Sequence, residues 1–174
     1  MYWTLPFNWS LSFWDGLLNP SFVTADMGPE DVETAAELHG EAFAAAWAGD
    51  EFAALLSQPG TFGFVVRRAY QPLARPSGVV LARLAAGEGE ILTIVVDKAA
   101  RGKGIGRLLM DNVLQRLHAE RAEALFLEVE ETNVPALALY KRLRFEEVGR
   151  RPAYYVDAQG QRANALVLKR ALLS

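Results

Sequence analysis

The stretch Ile91-Leu92-Thr93-Ile94-Val95-Val96-Asp97-Lys98-Ala99-Ala100-Arg101-Gly102-Lys103-Gly104-Ile105-Gly106-Arg107 decides the fold. Its first six residues are apolar or β-branched and read as a strand. From Ile105 the pattern changes: Ile105, Leu108, Leu109, Val113, Leu114 and Leu117 recur at helical spacing through about Arg121. A strand therefore feeds a glycine-rich turn that opens directly into an amphipathic helix, so unpaired backbone N–H groups and the positive helix end converge on one point. Gly102, Gly104 and Gly106 let the backbone approach a ligand closely, and Arg101, Lys103 and Arg107 add positive charge. The combination suits a phosphate; a plain flexible helix entry is the bland alternative. Two familiar nucleotide signatures fail, because no Ser or Thr follows a Gly-Lys pair and Arg107 stands where G-x-G-x-x-G needs glycine.

Working outward, the segments Gly60 to Arg68, Gly78 to Ala86 and Glu88 to Val96 read as strands of an antiparallel meander. Upstream, Ser21 to Ala25 fits a short strand. Gly28-Pro29-Glu30-Asp31 announces a helix towards Phe43, and a second short helix fits Asp50 to Ser57. Between those helices Trp47 stands among alanines. Downstream, Ala124 to Val129 is a buried-type strand, Asn133 to Leu143 a helix with Pro135 in its first turn, and Phe145 to Arg151 and Ala163 to Lys169 are strands. A meander followed by alternating helices and strands predicts an α/β fold: one mixed sheet of about seven strands with helices on both faces.

The chain of 174 residues, 51% of them hydrophobic, suits one domain, taken as residues 21–174. Residues 1–20 form a separate aromatic arm carrying Trp3, Phe7, Trp9, Phe13 and Trp14. Its interruptions at Pro6, Asn8, Asp15, Asn19 and Pro20 exclude a signal peptide or a membrane span. Such an arm packs its rings on the domain or meets a partner. No cysteine is present, which removes disulfides, thiolate metal sites and a cysteine nucleophile, and fits a reducing cytoplasm. The two histidines, His39 and His118, are too few for a histidine-built metal centre or a Ser/His/Asp triad and read as incidental; no metal is expected. Residues 1–66 hold nine acids and no Lys or Arg, whereas residues 67–174 hold all 18 bases against 12 acids. That asymmetry suggests one anionic and one cationic surface, or ordinary solvated faces. With a pI near 5.5, nucleic acid is not expected as a partner.

Arg101-Gly102-Lys103-Gly104-Ile105-Gly106 matches R/Q-x-x-G-x-G/A, and here the chain strongly resembles the GCN5-related N-acetyltransferases (GNAT). The resemblance covers roughly residues 22–170 and is strongest from Ile91 to Tyr155. Leu127-Glu128-Val129, Asn133, Ala138-Leu139-Tyr140, Arg144-Phe145 and Arg150-Arg151-Pro152-Ala153-Tyr154-Tyr155 are most similar to the bacterial RimI type, which acetylates ribosomal-protein N-terminal alanine. The resemblance implies a mostly antiparallel sheet and acetyl-coenzyme A (acetyl-CoA) as cosubstrate, its pyrophosphate held by Arg101, Gly102, Lys103, Gly104, Ile105, Gly106 and Arg107. It further implies an oxyanion met by backbone N–H groups of Ile94, Val95 and Val96, pantetheine contact at Asn133, and an acceptor site at Trp47, Tyr154 and Tyr155. The implied acceptor is a basic protein N-terminus from the ribosome. Three features depart from the pattern: the arm, a lengthened loop at Gln71 to Gly78, and Arg144 where relatives carry glycine.

Moving acetyl from a thioester to an amine requires a neutral amine, a stabilised oxyanion and a proton for the departing thiolate. Glu128 interrupts an apolar strand, where burial would raise its pKa and suit it to take the ammonium proton; an edge or capping carboxylate is the other reading. Tyr140, on the next helix, is by resemblance the acid for the thiolate, and by spacing alone a core tyrosine. Asn133 caps the helix it precedes whatever else it touches. A binding module in which Glu128 and Tyr140 only pack remains a rival of another class.

Overall fold

The computed structural model describes residues 22–69, 71, 74–156 and 162–173, with Tyr155 and Val156 described by their backbone alone. The arm at 1–20 lies outside the described residues. In chain order the elements are β1 (Phe22–Asp26), a 3-10 turn (Pro29–Asp31), α1 (Val32–Ala42), α2 (Gly49–Leu56), β2 (Thr61–Arg68), β3 (Gly78–Ala85), β4 (Glu88–Val96), a second 3-10 turn (Lys98–Ala100), α3 (Ile105–Ala119), β5 (Ala124–Glu130), α4 (Val134–Arg142), β6 (Glu146–Val156) and β7 (Arg162–Ala171). The strands form one sheet in the order β1-β2-β3-β4-β5-β7-β6. All pairs are antiparallel except β4 with β5. This is the expected mixed sheet.

Strand alternation divides the core in two. Val65, Val79, Leu81 and Val95 turn to one face, under Val32, Ala35 and Leu38 of α1 and Phe52 of α2. Phe64, Val66, Val80 and Ala82 turn to the other, under Leu109, Met110, Val113 and Leu117 of α3. Leu38, Phe52, Leu109 and Leu117 are fully buried, and each such side chain contributes roughly 1.5–3 kcal/mol over an exposed position. Gly78, at the start of β3, lets α3 close on the sheet: a Cβ there would stand 2.8 Å from Ile105 Cγ2 and 3.1 Å from the Val95 carbonyl oxygen. Among the described residues no helix is long and apolar enough to cross a membrane.

Two boundaries differ from expectation for physical reasons. The helix expected from Pro29 begins as a 3-10 turn, and Asp31 at its end is buried and ion-paired with Arg67 of β2. Strand β6 runs on to Val156 instead of ending at Arg151, because it lies at the sheet edge and absorbs Pro152 in a bulge. Asn133 caps α4 as expected, its Oδ1 accepting from the Ala136 N–H at 3.2 Å. Asn133→Ala should lower unfolding free energy by about 1 kcal/mol in urea titration. No change would mean that the cap is made equally well by water.

Candidate active site

The parallel pairing of β4 with β5 is brief: Glu88, Gly89 and Glu90 face Ala124, Leu125 and Phe126, and pairing stops there. The cause lies two residues on. Between Leu81/Thr93 and Ala82/Ile91 the register with β3 shifts, so Leu92 is an inserted residue and β4 bulges. Beyond the bulge Thr93 to Val96 stays with β3, while Leu127 to Glu130 follows β7. The sheet opens into a wedge-shaped notch with unpaired β4 groups on one edge. Ile94 and Val96 turn their N–H groups to that edge, whereas Val95, opposite Val79 and in the same phase as the Asp97–Ser77 bond, turns its N–H to β3 and does not supply the donor expected of it.

At the wide end of the notch stands the glycine turn. Gly102 and Gly104 have φ of 76° and 80°, the left-handed region that side chains avoid. A Cβ on either would meet nothing within 4 Å, so their neighbourhood is open. The first helical bond of α3 runs from the Leu108 N–H to the Gly104 carbonyl. Among the described residues, no backbone carbonyl receives the N–H groups of Gly102 to Arg107, which leaves this run of donors for a ligand. Arg101 Nε reaches the Val96 carbonyl at 3.4 Å, Lys103 Nζ reaches the Ala99 carbonyl at 3.2 Å, and Arg107 pairs with Asp111 at 2.8 Å. All three cations are exposed. Open space, unpaired donors and cations together fit a pyrophosphate.

Glu128 and Tyr140 lie on opposite faces of the sheet, Glu128 on the β5 side of the notch. Leu127 and Val129 point into the cluster under α3 and α4, and Tyr140, 4% exposed and edge-on to Phe145, belongs to that cluster. Glu128, between them in the strand, faces the other way, where among the described residues no helix covers β5, β7 and β6. Its burial is only partial, with 23% of the side chain exposed, and part of its cover comes from Arg151, which reaches it from β6 at 2.8 Å. Tyr154 joins them: the charge of Glu128, then burial and a hydrogen bond to the same carboxylate, raise the phenol above its ordinary 10. The Arg151 guanidinium lies 5.5 Å from the Tyr154 ring centre.

This grouping depends on the bulge in β6. Pro152, Ala153 and Tyr154 together face the single residue Asn164 of β7. Asn164 Oδ1 accepts from the Ala153 N–H at 3.1 Å and its Nδ2 donates to Glu131 at 2.8 Å, so one amide ties the bulge to the end of β5. Tyr154 and Tyr155, beyond the end at Arg151 expected for this strand, lie in the strand itself, and Tyr155 pairs with Ala163. Trp47 sits apart from this cluster, stacked on His39 and edge-on to Phe52. Sequence reading did not single out Arg151 and Asn164 as neighbours of the site, nor the burial of His39. A wider cleft of about 760 Å³ opens at the far end of the sheet, between Asp26, Val32, Leu56 and Phe62, and contains none of the candidate residues.

A mixed seven-stranded sheet split beside a glycine turn is the architecture of the acyl-coenzyme A N-acyltransferases. The chain belongs to the acetyltransferase (GNAT) family, whose family model matches residues 27–145. N-alpha-acetyltransferase RimI of Mycobacterium tuberculosis is 35% identical over 128 residues, 72% of this chain and 78% of that protein. A ribosomal protein bS18-alanine N-acetyltransferase of Salmonella typhimurium is 33% identical over 86 residues, 49% of this chain and 58% of that protein. The ribosomal-protein-S18-alanine N-acetyltransferase of Escherichia coli superposes with a TM-score of 0.79 at 23% identity, over 88% of this chain and 96% of that chain, a likeness of fold. The chain spans 41% to 58% of the length of the first curated relatives it matches.

Proposed function

We propose that the protein transfers acetyl from acetyl-CoA to the N-terminal amine of a protein, most specifically the N-terminal alanine of a basic small-subunit ribosomal protein, in the cytoplasm. The observation that carries the reading is the notch: it opens beside a pyrophosphate-type turn, with Glu128 on one face of the sheet and Tyr140 on the other. Acetyl-CoA supplies the acyl group. Arg101, Gly102, Lys103, Gly104, Ile105, Gly106 and Arg107 hold its pyrophosphate through backbone donors and charge. The N–H groups of Ile94 and Val96, which point away from β3, receive the negative charge that develops on the carbonyl oxygen. Glu128 takes the proton of the entering ammonium, and the Tyr140 hydroxyl supplies one to the departing sulfur. Tyr154 stays protonated at working pH and donates to Glu128, orienting the carboxylate. Trp47, Tyr154 and Tyr155 contact the acceptor chain, and Asn133 the pantetheine arm.

The relatives named as N-terminal acetyltransferases support this acceptor class. So does charge: Glu33 and Glu37 are exposed along α1, complementary to a basic protein, while Glu41 on the same row is paired with Arg75. The test is a thiol-release assay with acetyl-CoA and a short basic peptide beginning with free alanine, run beside an N-terminally blocked copy and a panel of small amines. Turnover confined to the free-amine peptide is the expected result. Preference for a small amine would move the acceptor class, and acetyl-CoA binding without turnover on any amine would leave a binding module.

A further inference from the structure

His39 is a buried titratable group that the transfer chemistry does not use. It occupies the last turn of α1 and is 4% exposed. Its Nδ1 accepts the Trp47 backbone N–H at 3.0 Å. The ring stacks on the Trp47 indole at 4.8 Å between centres with 15° between planes, lies 4.5 Å from Phe43 and meets the edge of Phe52 at 5.5 Å. One imidazole thus binds the start, the end and the far side of the junction 43–48 between α1 and α2. An Nδ1 that accepts a hydrogen bond carries no proton, so the ring is neutral with its hydrogen on Nε2.

The junction leaves α1 at the rim of the notch. Leu38, Glu41 and Ala42 share a crevice with Val95, Val96, Asp97, Lys98 and Arg101, and Phe43 and Trp47 pack on the cluster that contains Val95. This is the sheet face on which Glu128 stands. We infer that neutral His39 is a positioning residue that fixes the junction 43–48 as one wall of the acceptor side, and that protonation of its ring releases that wall. The inference rests on the acetyl-transfer reading above. Protonated, Nδ1 would present a hydrogen to the Trp47 N–H, and the contact would turn repulsive. Burial lowers the pKa of His39 from the ordinary 6.5, with the charge of Glu51 on α2 opposing it. Glu51 is the charged group acting on the ring among the described residues; Phe43, Trp47 and Phe52 do not titrate. The wall is therefore held at neutral pH and lost as pH falls through a value below 6.5.

Two variants separate positioning from packing. His39→Asn keeps an acceptor near Nδ1 without titrating; His39→Phe keeps the stacked ring without the acceptor. At pH 8 His39→Phe should raise the peptide KM about ten-fold, the scale of an unsatisfied buried N–H. Its kcat and its KM for acetyl-CoA should stay within about two-fold, and His39→Asn should stay near wild type, well short of that cost. Below pH 6.5 the wild-type peptide KM should rise relative to that of His39→Asn, a ratio that cancels ionisation of the acceptor amine. A peptide KM unchanged in His39→Phe, or a ratio flat with pH, overturns the inference. If wild type acetylates no peptide, the transfer reading has failed on its own, and the clamp is decided without turnover. Ring-nitrogen spectra, simple with two histidines, should show the Nε2–H tautomer, and Trp47 amide exchange should be slower in wild type than in His39→Phe. Equal exchange overturns it. Should His39→Phe not fold, the His39→Asn ratio against pH carries the same decision.

Discussion

Glu128→Gln is expected to lower acetyl transfer by roughly a hundred- to ten-thousand-fold, the range for removing a positioned acid or base, while acetyl-CoA affinity holds. The amide keeps the shape and can still meet Tyr154, but it cannot take a proton. The carboxylate stands on the open face, away from the glycine turn, so cofactor binding has no reason to follow. Stability should also hold: the Arg151 partner is 58% exposed, and exposed pairs contribute little. An internal control comes from Tyr154. The charge of Glu128 holds that phenol above 10, so neutralising the side chain should bring the Tyr154 titration down in absorbance difference spectra. Turnover surviving in Glu128→Gln, with the tyrosine shift present, would make Glu128 only a partner of Arg151.

The turn was legible because its chemistry is contiguous. Three glycines and three bases lie within seven residues between a strand and a helix, and local backbone rules suffice to read them. Glu128 was legible for a similar reason, as a charge at a strand position whose neighbours are apolar. What escaped depends on pairing across strands or on a path that packing sets. Pro152-Ala153 looks like the end of a strand, and only the edge position of β6 and its three-to-one bulge against Asn164 carry it onward. The same bulge brings Arg151 and Tyr154 to Glu128, so their grouping has no signature along the chain. The contacts of His39 leave no signal in the sequence because its partner is a backbone N–H eight residues on, across a junction with no regular repeat. Backbone donors along Ile94 to Val96 were expected from resemblance, whereas the opening that frees some of them comes from an inserted Leu92, which shows no mark in a run of six apolar or β-branched residues.

Gly104→Val should weaken acetyl-CoA binding by roughly five- to thirty-fold and leave the melting temperature nearly unchanged. The glycine is required for its dihedral angles, since a Cβ there meets nothing within 4 Å. A β-branched residue at φ 80° carries strain of at least about 1–2 kcal/mol. That strain has two outlets. The turn can keep its form and destabilise the protein, or it can relax and spoil the convergence of its donors. Relaxation is favoured, because the N–H groups from Gly102 to Arg107 meet no backbone carbonyl among the described residues, while α3 is anchored independently by Ile105, Leu109, Met110, Val113 and Leu117. The ligand then has to restore the turn, and each 1.4 kcal/mol of that work is about ten-fold in affinity. Gly106→Ala is the counter-case: its Cβ would stand 3.3 Å from the flexible end of Leu139, on a helical residue whose φ is not positive. That variant should bind acetyl-CoA nearly as well as wild type, isothermal titration deciding both. Equal losses at the two glycines would show that crowding, and not the left-handed turn, limits the site.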